Sequence, residues 1–237
     1  MEEKVVLITG ASGALGTALT EHFRAQSHIK LVLHFNANPI LNIDNQNVLL
    51  TQADLTQEHE VKGMMAKIEE KFGRLDMLIN NAGISKSAIS WKMSSEDFDA
   101  TLNVNLKAPF LTSKYAIPLM RKHNWGRIVN ISSVVAQTGF IGTTAYAASK
   151  AGLIGMTKTM SKELAAFNIT VNALALGYFN RGMIDDVPEE LRSEILKNVP
   201  MNQLGEPATI AKTLELLLSE EGSFITGQTL NLNGGLY

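Results

Sequence analysis

The chain has no cysteine. Disulfides, thiolate nucleophiles and Cys-ligated metals are therefore excluded, and the composition suits a reducing compartment. An excess of one charge is also missing: 21 Lys and Arg stand against 23 Asp and Glu, a formal net charge of −2. That near balance supplies no electrostatic footprint for nucleic acid or an anionic membrane. No apolar run approaches the roughly 18 residues of a membrane span. Met1-Glu2-Glu3-Lys4 leads directly into an apolar stretch, which predicts no signal peptide and a cytoplasmic protein. The two tryptophans, Trp91 and Trp125, read as packing or interface residues rather than stacking platforms. Glu58-His59-Glu60 lacks metalloprotease spacing, and the ten methionines read as core filler, so no metal site is predicted.

What is present is a hydrophobic content of 45% over 237 residues, enough for the core of one α/β domain spanning 1–237. Short apolar runs at 5–9, 31–35, 48–51, 75–80, 127–131, 170–175 and 229–232 read as buried strands. Helical periodicity fills 14–26, 56–72, 94–123, 144–167, 188–198 and 207–219, with Ser94 and Asp97 in a capping pattern. The segment 36–47, rich in asparagine and containing Pro39, reads as a loop with at most one helical turn. Seven strands alternating with helices predict a doubly wound, Rossmann-type parallel sheet covered on both faces.

The first strand delivers Thr9-Gly10-Ala11-Ser12-Gly13-Ala14-Leu15-Gly16 into a helix. Such a turn presents free N–H groups and the positive dipole end to an anion, and the missing side chains admit a pyrophosphate. Taken alone it is either a phosphate site or an ordinary tight turn. About 20 residues on, where a carboxylate would hold a ribose hydroxyl, the chain reads His34-Phe35-Asn36-Ala37-Asn38. The missing carboxylate argues for NADP over NAD; the missing arginine leaves the preference open. His34 is either a contact on that side or a packed side chain. Asn80-Asn81-Ala82-Gly83 ends the fourth strand and would flank the same crevice, or be a plain Asx-Gly turn. Asp54 faces the cofactor or caps the next helix.

Tyr146 and Lys150 lie four apart on a helix and share a face. A nearby ammonium stabilises a phenolate, so the pair could exchange a proton near neutrality. Ser133 ends the preceding strand and could bond the substrate oxygen. The spacing alone also describes a solvated helix face.

Thr9-Gly10…Gly16, Asn80-Asn81-Ala82-Gly83, Asn105, Ser133, Tyr146-Ala147-Ala148-Ser149-Lys150 and Asn172-Ala173 occur in the order and spacing of the short-chain dehydrogenase/reductase family. The chain resembles that family over essentially its whole length. Gly126-Arg127-Ile128-Val129-Asn130-Ile131-Ser132-Ser133 and Ile225-Thr226-Gly227-Gln228 most resemble the 3-oxoacyl-thioester reductases. The resemblance implies Tyr146 as proton donor, Lys150 on the nicotinamide ribose, Ser133 on the substrate oxygen and Asn105 holding a water that links Lys150 to solvent. It places Gly10, Ser12, Gly13, Leu15, Gly16, Asn36, Asp54, Leu55, Asn81, Ala82, Gly83, Gly177 and Phe179 around NADP or NAD, with Tyr146 and Lys150 at its nicotinamide end. It further implies a homotetramer and a substrate lid over 185–203.

The chain departs from the pattern in places. Ala14 stands at the family's middle glycine, with Gly13 one place early; Leu176 replaces a proline, and Arg181 a threonine. Arg181 is either an anion contact or a solvated charge. Two arginines that dock acyl carrier protein align with Asn124 and Phe167; Arg121, Lys122, Lys158 and Lys162 are substitutes or solvated charges. The expected reaction is reduction of a ketone, foremost a 3-oxoacyl thioester on carrier protein or CoA. The alternatives are another small ketone, sugar or cyclic alcohol, or a dinucleotide-binding scaffold or redox sensor without turnover. A sugar epimerase would need a larger C-terminal lobe.

Overall fold

The computed structural model describes residues 2–40, 43, 46–181 and 189–237. Seven strands form one sheet: β1 (Lys4–Ile8), β2 (Ile29–Phe35), β3 (Val48–Gln52), β4 (Met77–Asn80), β5 (Gly126–Ser133), β6 (Ile169–Leu176) and β7 (Thr229–Leu232). Every pairing is parallel and the order is β3-β2-β1-β4-β5-β6-β7. The direction of winding reverses between β1 and β4, which opens a crevice at their carboxyl ends.

The strands are largely aliphatic because both faces are covered, with a few buried polar side chains on β4, β5 and β6. Val6 and Ile8 pack toward Leu19 and Phe23 of α1 (Ala14–Arg24) and Ile210 and Leu214 of α8 (Pro207–Leu218). Val5 and Leu7 point the other way, toward Val61, Met64 and Ile68 of α2 (Glu58–Phe72) and Leu111 and Leu119 of α4 (Ala108–Lys122). α6 (Thr144–Leu164) shares that second face through Met160 and Leu164. α2 stops at Gly73, whose φ of +68° no β-carbon favours.

The helix expected over 94–123 differs from the sequence reading. Ser94 caps α3 (Ser95–Leu102), its hydroxyl accepting the Asp97 N–H at 3.1 Å. A π-turn, Asn103–Lys107, then interrupts the run before α4. Pro109, in the first turn of α4, has no N–H, so an i+4 bond to the Asn105 carbonyl is chemically impossible. A short helix α5 (Val135–Thr138) and a 3₁₀ turn (Ser90–Lys92) were not anticipated. β5 runs past the apolar stretch 127–131 and carries Ser133 as its last residue, where the sequence places the end of the strand. In the expected lid, 185–188 lie outside the described residues, and α7 (Glu189–Asn198) follows.

A buried polar row crosses the second face. Asn80 donates to Asn130 at 2.9 Å, Asn130 donates to Thr157 of α6 at 2.9 Å, and Thr112 of α4 donates to Asn80 at 2.6 Å. These bonds pin α4 and α6 to β4 and β5 at fixed register. Replacing Asn130 by the similarly sized Leu strips partners from Asn80 and Thr157. It should lower unfolding free energy by about 2–3 kcal/mol, read as a lower urea midpoint with unchanged slope.

Candidate active site

At the crevice the β1 and β4 turns are tied together. The Thr9 hydroxyl accepts N–H groups from Asn81 and Ala82 at 3.0 and 3.1 Å. The Asn81 amide donates to the carbonyls of Thr9 and Gly10 at 2.9 and 3.2 Å. Gly10 has φ +64°, and a β-carbon there would lie 2.9 Å from the Ala82 backbone. One on Gly16 would lie 2.3 Å from the Gly10 carbonyl oxygen. Both glycines are required for the turn to close.

Gly13 caps α1 without a side chain, in an extended conformation with φ −76°. The first-turn N–H groups, on Ala14, Leu15 and Gly16, therefore have no side-chain cap and sit at the positive end of the helix dipole. Gly13 and Ala14 are exposed, and Ser12 and Leu15 are half-buried. A pyrophosphate fits this donor set.

The second-strand side is neutral. His34 is buried; its Nδ1 accepts the Gly10 N–H at 3.1 Å and its Nε2 meets the Ala53 carbonyl at 2.9 Å. Burial holds its pKa below the ordinary imidazole value. Of the two readings of His34, the packed one describes its ring. Asn36 is exposed, and its carbonyl accepts from Gln52 at 2.8 Å. Leu55 is buried. Asp54 accepts the N–H and hydroxyl of Thr56 at 2.9 and 2.8 Å, a local bond at the entry to α2.

On the other side of the crevice, Ser133 ends β5 while Tyr146 and Lys150 lie on α6, Tyr146 in its first turn. Ser132 fixes the register by donating to the Lys150 carbonyl at 2.9 Å. The Lys150 ammonium donates to the Ile131 carbonyl at 2.7 Å and lies 5.6 Å from the Tyr146 ring centre. A β-carbon on Gly83 would lie 3.6 Å from that ammonium nitrogen, so the β4 turn passes beside it. The Ser133 hydroxyl accepts the Val135 N–H at 3.2 Å and keeps its own proton for another oxygen.

The electrostatics correct one expectation. Burial raises the Tyr146 pKa, and the opposing influence is the Ser133 hydroxyl, not the ammonium. The reason is geometric: Lys150 points its charge at Ile131, and burial lowers its own pKa to about 8. The phenol is held in the protonated state that a proton donor needs.

Asn105 is buried in the π-turn. Its amide accepts the Ile84 N–H at 2.8 Å, donates to the Ile84 carbonyl at 2.8 Å and reaches Ser149 at 3.2 Å. The side chain thus clamps the segment after Gly83. Gly177 follows β6, where a β-carbon would sit 2.7 Å from Asn233, and Phe179 is buried beside Gly205. Arg181 is exposed with a guanidinium nitrogen 3.9 Å from Glu21 of α1. Among the described residues no three His, Asp or Glu side chains gather as a metal site, and no helix is long and apolar enough to cross a membrane. Sequence reasoning missed Ser132 and the Asn130–Thr157 bond. The signal was the alternation Asn130-Ile131-Ser132, which puts two polar side chains on one strand face.

Uncapped backbone N–H groups on one lip of the crevice and a protonated phenol beside a hydroxyl on the other suit an oxidoreductase that uses a nicotinamide dinucleotide. The family model described as short chain dehydrogenase matches residues 4–192. The chain is 41% identical to the 3-oxoacyl-[acyl-carrier-protein] reductase FabG of Thermotoga maritima, covering 100% of this chain and 98% of the relative. It is 38% identical to the FabG of Rickettsia bellii, over 98% and 96%, and 38% identical to Nodulation protein G of Azospirillum brasilense, over 100% and 99%. The chain belongs to the short-chain dehydrogenase family.

The buried ammonium has a measurable cost. An unfolded lysine keeps its proton to the ordinary lysine value, whereas folded Lys150 releases it near 8. Between those pH values the unfolded chain binds more protons, so stability rises with pH; below about 8 the full penalty applies. Lys150→Met should therefore stabilise the cofactor-free protein at pH 7 by about 1–3 kcal/mol, and the advantage should shrink by pH 10. Urea unfolding at the two pH values measures it.

Proposed function

We propose that the protein reduces a 3-oxoacyl thioester to the 3-hydroxyacyl thioester, with Tyr146 as proton donor. The observation that carries this reading is the convergence of Tyr146, Ser133 and Lys150 on the carboxyl edge that also carries the uncapped glycine turn. The α1 N-terminus would hold the pyrophosphate and Lys150 the nicotinamide ribose. Gly83, Gly177 and Phe179 would border the cofactor's path. We favour NADPH because no carboxylate follows β2 to repel a 2′-phosphate; Asn36, Ala37 and Asn38 are neutral and exposed.

A dinucleotide held in this crevice would supply the hydride. As the substrate carbonyl oxygen gains charge, Ser133 donates a hydrogen bond to it and Tyr146 delivers its proton. The positive end of α6 lies under Tyr146 and favours the phenolate left behind. Lys150 adds a positive charge on the same side, and the π-turn at Asn105 is the proposed seat of a water that returns the proton. Segment 185–203 is the proposed lid.

The substrate assignment draws support from the FabG relatives and from the apolar residues beside the site. Phe140 and Ile141 stand exposed just before α6, and Trp91 stands exposed on the segment whose Ala88 bonds Gly142. They offer an apolar margin for an acyl chain. Carrier docking has a partial substitute: the Arg121 guanidinium stacks on Phe167, 4.1 Å from the ring centre. Because Asn124 and Phe167 themselves carry no charge, CoA thioesters and free ketones are the second reading. A cytoplasmic homotetramer completes the proposal.

Acetoacetyl-CoA should drive NADPH oxidation faster than a panel of free ketones and cyclic alcohols, and NADPH should bind more tightly than NADH. Activity on the panel alone would remove the thioester. Tyr146→Phe should keep cofactor affinity and lose about 10²–10⁴-fold in rate; equal inactivity of both proteins would favour a non-catalytic scaffold. The reduction rate should fall as pH rises through about 8, where Lys150 loses its charge. Arg121→Glu should raise KM for a carrier-bound substrate and leave KM for acetoacetyl-CoA unchanged.

A further inference from the structure

Nothing in the reduction chemistry uses His34, yet its imidazole is among the most buried polar groups beside the crevice, 2% exposed. It is the last residue but one of β2, and three bonds converge on it. Its carbonyl accepts the Ala11 N–H at 2.8 Å, its Nδ1 accepts the Gly10 N–H at 3.1 Å, and its Nε2 lies 2.9 Å from the Ala53 carbonyl. A ring nitrogen that accepts an N–H carries no proton, and one that meets a carbonyl must carry one. The two partners therefore select a single neutral tautomer, protonated on Nε2. That ring joins the ends of β1, β2 and β3 at the first residue of the glycine turn.

Gly10 adopts a left-handed conformation that several neighbours help to hold. Its φ is +64°, and its carbonyl takes the N–H of Gly13 at 3.1 Å and the Asn81 amide at 3.2 Å. The donors that face an anion begin four residues further on, at Ala14. A rotation at Gly10 would swing all of them, because the turn 10–16 has no side-chain cap of its own at α1.

We propose that His34 is a positioning residue for the cofactor: its neutral ring latches Gly10 so that the first turn of α1 meets the pyrophosphate, and protonation of the ring unlatches the turn and weakens dinucleotide binding. This rests on the reading that the glycine turn holds the dinucleotide. A protonated Nδ1 turns from acceptor to donor and opposes the Gly10 N–H. The Ala53 carbonyl and the Asp54 charge favour the protonated ring, and Glu60 of α2 accepts the Asp54 N–H at 2.7 Å. Lys30 lies four residues back on β2, and residues 9–16 carry no titratable side chain. Burial opposes both influences and outweighs them, which keeps the latch closed at neutral pH.

The test is NADH binding by fluorescence titration, from pH 8 down to pH 4.5, on three proteins. His34→Asn places an amide oxygen near Nδ1 and does not titrate; His34→Leu fills space without accepting. At pH 8 the Asn variant should bind within about threefold of wild type and the Leu variant at least tenfold more weakly, since a lost bond to a fixed donor is worth about tenfold or more. Wild-type affinity should fall in acid while the Asn variant's does not, and their difference cancels any titration of the cofactor itself. Ring ¹⁵N shifts should show an unprotonated Nδ1, and their titration midpoint should match the break in affinity. A space-filling role predicts equal affinity for folded wild type and His34→Leu, and that result would overturn the latch while leaving the cofactor reading intact. Should the Leu variant fail to fold, an Asn variant with the same acid loss as wild type overturns it alone. No NADH or NADPH binding to wild type at any pH would sink both readings.

Discussion

The site depends on one expensive interaction, a buried ammonium held by a single backbone carbonyl. Lys150 reaches the Ile131 carbonyl at 2.7 Å with no carboxylate among the described residues to compensate it, and burial lowers its pKa to about 8. A charge in that position disfavours the folded state. It persists because the surroundings leave it no alternative. Ser132 grips the Lys150 carbonyl, and one turn pair further along α6 the Asn130–Thr157 bond fixes the same helix to the same strand. Strand β5 therefore supplies the register for α6 twice and the hydroxyl of Ser133 once. The phenol, the ammonium and the hydroxyl occupy fixed relative positions before any ligand arrives.

The phosphate lip follows a different principle. Its ligand-facing groups are backbone donors, so its geometry is set by what surrounds the backbone. Thr9 and Asn81 lash the β4 turn to the β1 turn, and His34 lashes the β1 turn to β2 and β3. Side chains that a reader would assign to the ligand are occupied with other backbone groups. Asn81 serves Thr9 and Gly10, Asp54 serves Thr56, and Asn105 serves Ile84. Their amides and carboxylate shape the crevice.

That division explains what was legible in the sequence. All seven strands and the layered order followed from apolar runs alternating with helical periodicity, because a parallel sheet buried on both faces has few other solutions. That Tyr146 and Lys150 share a face was legible from their spacing of four on a helix, whereas the roles expected of them and of Ser133 came from the family resemblance. The π-turn was not: nothing in the periodicity of 94–123 marks an added residue, and Pro109 signals only that a helical bond is missing. His34 was ambiguous for a similar reason. Its partners, Gly10 and Ala53, lie 24 and 19 residues away in sequence, so only the sheet brings them together. Shared helix face does not decide where a flexible ammonium points: Lys150 donates to the Ile131 carbonyl, and burial raises the Tyr146 pKa.

The departures in the glycine turn acquire a physical meaning from the same geometry. Three glycines are expected there, but the backbone needs glycine at two places, Gly10 for its positive φ and Gly16 for its approach to the Gly10 carbonyl. Alanine falls at position 14, the first residue of α1, where helical dihedrals suit any residue and the side chain is exposed. Gly13 has ordinary dihedrals and room for a β-carbon, its nearest neighbour being the Gly10 oxygen at 3.4 Å. The fold does not require Gly13, and its missing side chain leaves the mouth of the turn open in front of the first-turn N–H groups. The shift of one glycine by one place thus leaves the turn closed behind and bare in front, which are the two properties that a pyrophosphate site demands.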